Sequence, residues 1–258
     1  MLVVISPAKT LDFDSEISAE SASQPLFLDE AEYLVGKLKK FSAKKLEGFF
    51  NVNSEIASQN KQRFMEWSRP FHSGNARQAA LAFQGEVYRG LNAETLNDPD
   101  FEFAEKHLYI LSGLYGILRP LDLIQPYRLE MGTKWEITKK APNLYKFWGS
   151  KITDVINDSD VEGPLINLAS NEYFKVIDKT ILKRDIITCH FKDKRNGEYK
   201  SLMTYAKHAR GLMARFIIRE KLTEAEHLKA FDGMGYQFNP SLSTDTEYTF
   251  TREEGSIK

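Results

Sequence analysis

The chain has 258 residues, enough for one large domain or two small ones with a substantial hydrophobic core. Its 35 Lys and Arg against 36 Asp and Glu leave a net charge of −1, which excludes a polycationic protein, so any nucleic-acid surface must be local. A single cysteine excludes an intrachain disulfide, and no apolar run approaches the roughly 18 residues of a membrane-spanning helix. We therefore expect a cytoplasmic protein with no membrane partner.

The apolar periodicity and the turn residues predict strands and helices in irregular alternation. In chain order the predicted elements are a strand at 2–5, helices at 29–40, 43–50, 54–67 and 98–107, a short strand at 165–168, a hairpin of strands 186–191 and 198–203, a helix at 205–220, and strands at 236–238 and 247–251. Residues 79–88 fit either a helix or a strand. Because the chain shows no repeat and no linker, we predict a single domain over residues 1–258. Its class is mixed α/β (α+β), with a mixed sheet flanked by helices.

Charge is unevenly distributed along the chain. Residues 10–32 hold seven acids and no Lys or Arg, whereas residues 192–221 hold nine Lys or Arg against three acids, a local charge of +6. On the predicted helix at 205–220 these charges include Lys207, Arg210 and Arg215. One interpretation is the solvated face of an ordinary amphipathic helix. The other is a surface that faces phosphates, because spaced cations can neutralise several phosphates of a duplex together.

The stretch 111–132 is the most unusual part of the sequence, with a Gly113-Leu114-Tyr115-Gly116 turn followed by Arg119 and Arg128. If residues 99–111 and 117–124 are helices, the turn makes a helix-hairpin-helix element whose backbone N–H groups meet a phosphate. If residues 108–111 are instead a strand, the turn is a strand-end loop, a common place for small-molecule chemistry in α/β folds. The sequence pattern leaves both interpretations open.

Polar side chains follow two of the predicted strands directly. Lys9 and Asp12 come after strand 2–5, and Ser170, Glu172 and Lys175 come after strand 165–168. Such side chains often satisfy backbone groups within a turn. They are also suited to acid–base chemistry if the two strand ends meet, so Lys9, Asp12, Ser170 and Glu172 are candidate catalytic residues.

The sequence gives little support for a metal or a cofactor. The five histidines lack paired ligand spacing, and Glu224-x-x-His227 is a single copy of a motif that needs a second. No Walker A loop, GxGxxG or GxSxG motif is present. Cys189 lies within a predicted strand, where a buried structural thiol is more usual than a redox centre. We expect no metal site and no cofactor.

Several blocks of the sequence resemble the peroxide stress protein YaaA family. They lie at residues 5–12, 75–79, 83–91, 111–132, 167–174 and 209–216, and so span most of the chain. The resemblance implies a cytoplasmic bacterial protein that acts in the hydrogen peroxide response by keeping free iron low. It also implies a single mixed α/β domain with a basic cleft and a helix-hairpin-helix-like element for DNA. The nearest segment to that element is 111–119, with Gly113 and Gly116 as its hairpin.

The first functional hypothesis is therefore a stress protein that limits iron-driven damage and binds double-stranded DNA with little sequence preference. The candidate DNA contacts are Gly113, Tyr115, Gly116, Arg119, Arg128, Lys175, Lys207, Arg210 and Arg215. The alternative hypothesis is an enzyme that acts on a nucleobase or nucleotide in a strand-end pocket. The resemblance favours the DNA interpretation of the turn at 113–116, but it identifies no reaction.

Overall fold

The computed structural model describes residues 1–15 and 21–255, so Glu16 and Glu20 of the acidic stretch lie outside the described residues. The strands, in chain order, are β1 (Leu2–Ile5), β2 (Thr10–Leu11), β3 (Arg77–Gln78), β4 (Phe83–Gln84), β5 (Leu108–Ser112), β6 (Gly116–Leu118), β7 (Leu123–Ile124), β8 (Leu165–Asn167), β9 (Ile186–Arg195), β10 (Glu198–Lys200), β11 (Gln237–Phe238) and β12 (Glu247–Arg252).

The helices include the five predicted ones, each with ends within two residues of the prediction, and others that the sequence did not assign. They are α1 (Leu28–Leu38), α2 (Ala43–Phe50), α3 (Ser54–Glu66), α4 (Ala79–Ala82), α5 (Glu86–Leu91), α6 (Asp98–His107), α7 (Leu144–Trp148), α8 (Lys151–Asn157), α9 (Asn171–Phe174) and α10 (Met203–Arg219). Side-chain caps explain several starts: Ser42 caps α2, Asn53 caps α3, and Asn97 forms a capping box with Asp100 at α6. The ambiguous stretch 79–88 divides into α4, β4 and the start of α5.

A mixed sheet forms the centre of the fold. Within residues 1–15 and 21–255, eight strands join it in the order β11-β12-β9-β8-β1-β5-β6, with β10 paired to β9. β1 runs parallel to both β5 and β8, with Val3 opposite Leu108 on one side and Ile166 on the other. The edge pairings of β6, β10 and β11 are antiparallel. Every residue of β1 is buried, as expected for a parallel strand covered by helices on both faces. The predicted fold class is confirmed.

The turn at Gly113–Gly116 joins two antiparallel strands, so the helix-hairpin-helix interpretation of this segment is wrong. β5 pairs with β6 through Ser112 and Gly116, and the apolar run at 108–111 extends the sheet beside β1. Gly116 adopts a φ of 72°, which glycine tolerates at no steric cost. A side chain at Gly113 would meet the Leu129 carbonyl oxygen at 2.3 Å, so this turn packs against the chain itself. The strand-end alternative describes it correctly.

Helices α5 and α10 cross with their backbones in contact. A β-carbon at Gly211 would lie 1.8 Å from the Val87 carbonyl oxygen, and one at Gly90 would lie 2.2 Å from the His208 carbonyl oxygen. Only residues without a side chain permit this approach. The contact matters for function because α5 carries Glu86 and α10 carries Lys207 and Arg210.

We predict that Gly211→Ala destabilises the fold by about 2–3 kcal/mol, because the new methyl group forces α5 and α10 apart. The matched control is Gly48→Ala in α2, where a β-carbon would have no neighbour within 4 Å. That change should stabilise the protein by roughly 0.5–1 kcal/mol through lower chain entropy in the unfolded state. Urea unfolding measures both changes, and equal stability of the two variants would contradict the packing argument.

Candidate active site

A cleft of about 570 Å³ opens at the carboxyl ends of β1 and β8. Because these strands are parallel neighbours, the turns that follow them, beginning at Ser6 and Leu168, lie at the same edge of the sheet. In open α/β sheets this edge is the usual place for ligand binding. The charged side chains that line the cleft come from five parts of the chain, and they are Lys9, Glu86, Glu130, Glu172, Lys207 and Arg210. We refer to this site as the strand-end cleft.

Two serines join the strand ends across the floor of the cleft. The Ser170 backbone N–H donates to Ser6 Oγ at 2.8 Å, and the two hydroxyl oxygens are 3.3 Å apart. The Tyr88 hydroxyl donates to the Ser6 carbonyl oxygen at 3.1 Å, which ties α5 to the same turn. Burial raises the pKa of Tyr88, so its hydroxyl stays protonated and able to donate. These bonds hold the cleft floor in one arrangement.

The carboxylates of the cleft are held in different ways. Glu130 is bridged by two cations, with Lys9 Nζ 2.7 Å from Oε2 and an Arg128 guanidinium nitrogen 3.1 Å from Oε1. Glu172 accepts the Gly132 backbone N–H on Oε1 at 2.9 Å, and its Oε2 makes no hydrogen bond with any described residue. Glu130 therefore has its charge compensated, whereas Glu172 keeps one oxygen for a ligand.

Arg210 is the least compensated charge of the cleft. Among residues 1–15 and 21–255, no carboxylate lies within 4.0 Å of its guanidinium and no acceptor meets its buried Nε. Burial lowers the pKa of Arg210, which a nearby carboxylate would have opposed. Because arginine stays charged in proteins, this group presents an uncompensated positive charge to the cleft. Lys207 lies one turn away on the same helix and is exposed.

Most of the other cations in the basic stretch 192–221 have partners within the protein. Arg215 donates to the carbonyl oxygens of Leu91 and Asn92 at 3.1 and 2.9 Å, and so does not face the cleft. The remaining ion pairs are Arg219 and Lys221 with Asp100, Lys194 with Glu253, Arg195 with Glu254, and Lys200 with Glu198. Three acids from elsewhere in the sequence, Asp100, Glu253 and Glu254, thus offset about half of the local charge of +6.

Four of the candidate DNA contacts, all in the 111–132 segment, are buried or paired within the protein. Gly113, Tyr115 and Gly116 are buried, and Tyr115 is wholly inaccessible to solvent. The Tyr115 hydroxyl accepts from Trp67 Nε1 at 3.1 Å. Arg119 pairs with buried Asp122 at 2.8 Å. The turn therefore offers no surface to a phosphate.

The remaining predicted site residues, Asp12, Lys175 and Arg128, lie in three different environments. Asp12 accepts the backbone N–H groups of Asp14 and Ser15, and hydrogen bonding lowers its pKa to about 2, as for a carboxylate that closes a turn. Lys175 Nζ lies 5.2 Å from the Tyr145 ring centroid and does not line the cleft. Arg128 lines a small recess beside the strand-end cleft. The recess and the cleft share Lys9, Glu130 and Tyr173.

The structure adds Glu86 and Tyr88 to the site, which the sequence patterns did not single out. Both follow Gly85, whose φ of 132° turns the chain between β4 and α5. A glycine directly before a Glu-Val-Tyr sequence is the signal that would have indicated a site here. Glu86 Oε2 lies 3.3 Å from His208 Nδ1, which links α5 to α10 at the cleft wall.

Nowhere in residues 1–15 and 21–255 do three or more His, Cys, Asp or Glu side chains gather closely enough to ligate a metal. In the same part of the chain, no helix combines the length and the apolar character that crossing a membrane requires.

Comparison with known proteins places this chain in a family. Residues 1–242 match the family described as peroxide stress protein YaaA. The chain belongs to that family. A UPF0246 protein of Colwellia psychrerythraea is 50% identical over 260 aligned residues, covering 98% of this chain and 100% of that protein. A UPF0246 protein of Idiomarina loihiensis is 49% identical, covering 98% of this chain and 99% of its own. The resemblance drawn from the sequence blocks is confirmed, and with it the link to peroxide stress.

Because the chain belongs to a peroxide stress family, we considered whether the Cys189 thiol can react with peroxide. It lies in β9, is buried, and burial raises its pKa to about 12. The thiolate is the form that reacts with peroxide, and it forms readily only near or above the pKa. We therefore predict that iodoacetamide and hydrogen peroxide leave Cys189 unmodified in the folded protein at neutral pH. In urea the same thiol should react. Intact-mass spectrometry measures both, and rapid sulfenic acid formation in the folded protein would contradict the prediction.

Proposed function

We propose that the protein acts in the peroxide response by binding a small phosphate-bearing molecule of the nucleotide class in the strand-end cleft and carrying out acid–base chemistry on it. The observation that carries this proposal is the uncompensated Arg210 guanidinium in the cleft. A buried charge without a partner is costly, and an anionic ligand removes that cost by supplying the acceptor.

The cation pair on α10 favours a phosphate as the anchoring group. Arg210 can donate two parallel hydrogen bonds to phosphate oxygens, and Lys207 adds a second charge at the rim. The cleft volume of about 570 Å³ is within the range typical of small-molecule sites. Carboxylates and hydroxyls on the opposite wall then meet the part of the ligand that lies away from the phosphate, which suits a nucleobase or sugar with several polar atoms.

Glu172 is the group best placed to move a proton. Its Oε1 is fixed by Gly132 and its Oε2 is unoccupied by the described residues, so the carboxylate has a defined orientation and a free oxygen. Ser170 lies two residues earlier on the same turn and can bind a ligand oxygen through its hydroxyl. Glu130 is held as an anion by Lys9 and Arg128 and is better suited to orienting a ligand than to transferring a proton.

The test uses a panel of nucleoside 5′-monophosphates with the purified protein. Arg210→Gln should weaken binding by roughly tenfold or more, the loss of a charge-assisted hydrogen bond. Glu172→Gln should retain binding and lose conversion of the nucleotide. The control Arg215→Gln lies on the same helix outside the cleft and should bind as the wild type does. Calorimetry and mass spectrometry report the two steps, and unchanged binding by Arg210→Gln would overturn the proposal.

A second candidate function is sequence-tolerant binding of duplex DNA across the mouth of the cleft, limiting damage driven by free iron. It is supported by family membership and by Lys207 and Arg210, which no described acid neutralises. Because few cations are available there, the binding would be weak and would depend on a small number of phosphate contacts.

This DNA hypothesis predicts a defined salt dependence. Lys207→Glu combined with Arg210→Gln should reduce the slope of log K against log salt by roughly 2, since two phosphate contacts are lost. The matched control is Lys106→Glu with Lys183→Gln, an equal charge change at exposed residues outside the cleft. Fluorescence anisotropy with a labelled duplex measures the slope. A slope that is the same in both variants would exclude the cleft as the DNA site.

A further inference from the structure

A second pocket, of about 410 Å³, lies between the end of α1, the start of α2 and the loop at 134–137. It shares no lining residue with the strand-end cleft. Its rim carries Lys37, Lys40, Lys45 and Lys134, and its floor contains the aromatic side chains of Phe41, Phe49 and Trp135. We call this site the lysine–aromatic pocket.

The aromatic side chains of the pocket floor pack against one another. The Trp135 ring meets Phe49 edge-on at 5.6 Å and Phe41 at 6.2 Å between ring centroids. Phe41 and Phe49 are themselves edge-to-face at 5.3 Å. Trp135 is buried, and both phenylalanines are half-buried, so the rings line a recess and do not protrude from the protein. The pocket therefore offers a rigid apolar surface below a charged rim.

The lysines of the rim are uncompensated. Within residues 1–15 and 21–255, none of the four ammonium groups lies within 4.0 Å of a carboxylate, although many lysines elsewhere are paired, such as Lys151 with Glu30. One acid, Glu136, also lines the pocket, so its formal charge is +3. Lys45 Nζ lies over the Phe41 ring, 3.7 Å from the centroid, which holds one ammonium at the pocket edge. Like charges that gather around one recess repel one another until an anion binds.

From these features we propose that the lysine–aromatic pocket binds a nucleoside polyphosphate, with the base on the aromatic floor and the phosphates among the lysines. The charge of +3 matches the several negative charges of a di- or triphosphate. The pocket is one nucleotide in size and the lysines surround it, whereas a nucleic-acid strand needs cations along an extended track. The recessed rings also disfavour a membrane surface, which would require protruding apolar side chains.

The experiment measures ATP binding by calorimetry to the full chain. Lys40→Glu/Lys134→Glu changes two exposed rim lysines whose ammonium groups make no hydrogen bond or ion pair with any described residue. This variant should bind ATP roughly tenfold more weakly or worse, because two phosphate partners become repulsive. The control Lys106→Glu/Lys183→Glu makes the same charge change away from the pocket and should bind within about twofold of the wild type. Tripolyphosphate should bind more weakly than ATP, since it leaves the aromatic floor uncovered.

The cleft variant Arg210→Gln separates this proposal from the proposed function. Retained ATP binding in Arg210→Gln, with loss in Lys40→Glu/Lys134→Glu, supports a second site. Loss in Arg210→Gln with retention in Lys40→Glu/Lys134→Glu would place the ligand in the strand-end cleft and overturn the inference. Equal binding of ATP and tripolyphosphate, equal loss in both lysine double variants, or tighter binding of an oligothymidylate than of ATP at this pocket would also overturn it.

Discussion

The parallel pairing of β1 with β8 is the constraint on which the rest of the site depends. Because the two strands run in the same direction in adjacent positions, their carboxyl ends reach one edge of the sheet together. Their following turns then meet through the Ser6–Ser170 hydrogen bonds. β1 is held in register on both sides, because it pairs with β8 along one edge and with β5 along the other, and all of its residues pack in the core. The floor of the cleft is therefore fixed by the buried strands together with the hydrogen bonds of Ser6, Ser170 and Tyr88.

The walls of the cleft depend on a second constraint, the close crossing of α5 and α10. Gly90 and Gly211 let the two backbones touch, and this brings Glu86 opposite Lys207 and Arg210. Larger residues at either position would separate the helices and widen the cleft. Sheet and helix pair thus act together: the turns after the strands place Lys9, Ser170 and Glu172, and the crossing helices place Glu86, Lys207 and Arg210. The two sets meet although they lie far apart in sequence.

Much of this arrangement could be predicted from the sequence, for identifiable reasons. Apolar periodicity and capping residues located α1, α2, α3, α6 and α10. The rule that ligands gather at strand ends singled out Lys9, Ser170 and Glu172, which do line the cleft. The turn at 113–116 could not be assigned, because two glycines fit either a hairpin of strands or one of helices. Long-range pairing with β1 decided it. The role of Asp12 was also open, because the sequence fits either a carboxylate that closes a turn or a catalytic one. The structure shows the first, since Asp12 accepts two backbone N–H groups of its own turn.

The basic stretch 192–221 shows why charge along a sequence is a poor guide to charge on a surface. Asp100 lies about a hundred residues earlier, yet it forms ion pairs with both Arg219 and Lys221. Arg215 donates to carbonyl oxygens of α5 and of the residue after it. A linear count has no access to these partners. After they are assigned, Arg210 and Lys207 remain as the cations of α10 that face the cleft, at the strand edge where the carboxylates also gather. A small concave site needs only one or two such charges, whereas a duplex needs many along its length. The distribution of charge therefore favours a small anionic ligand as the partner of this cleft.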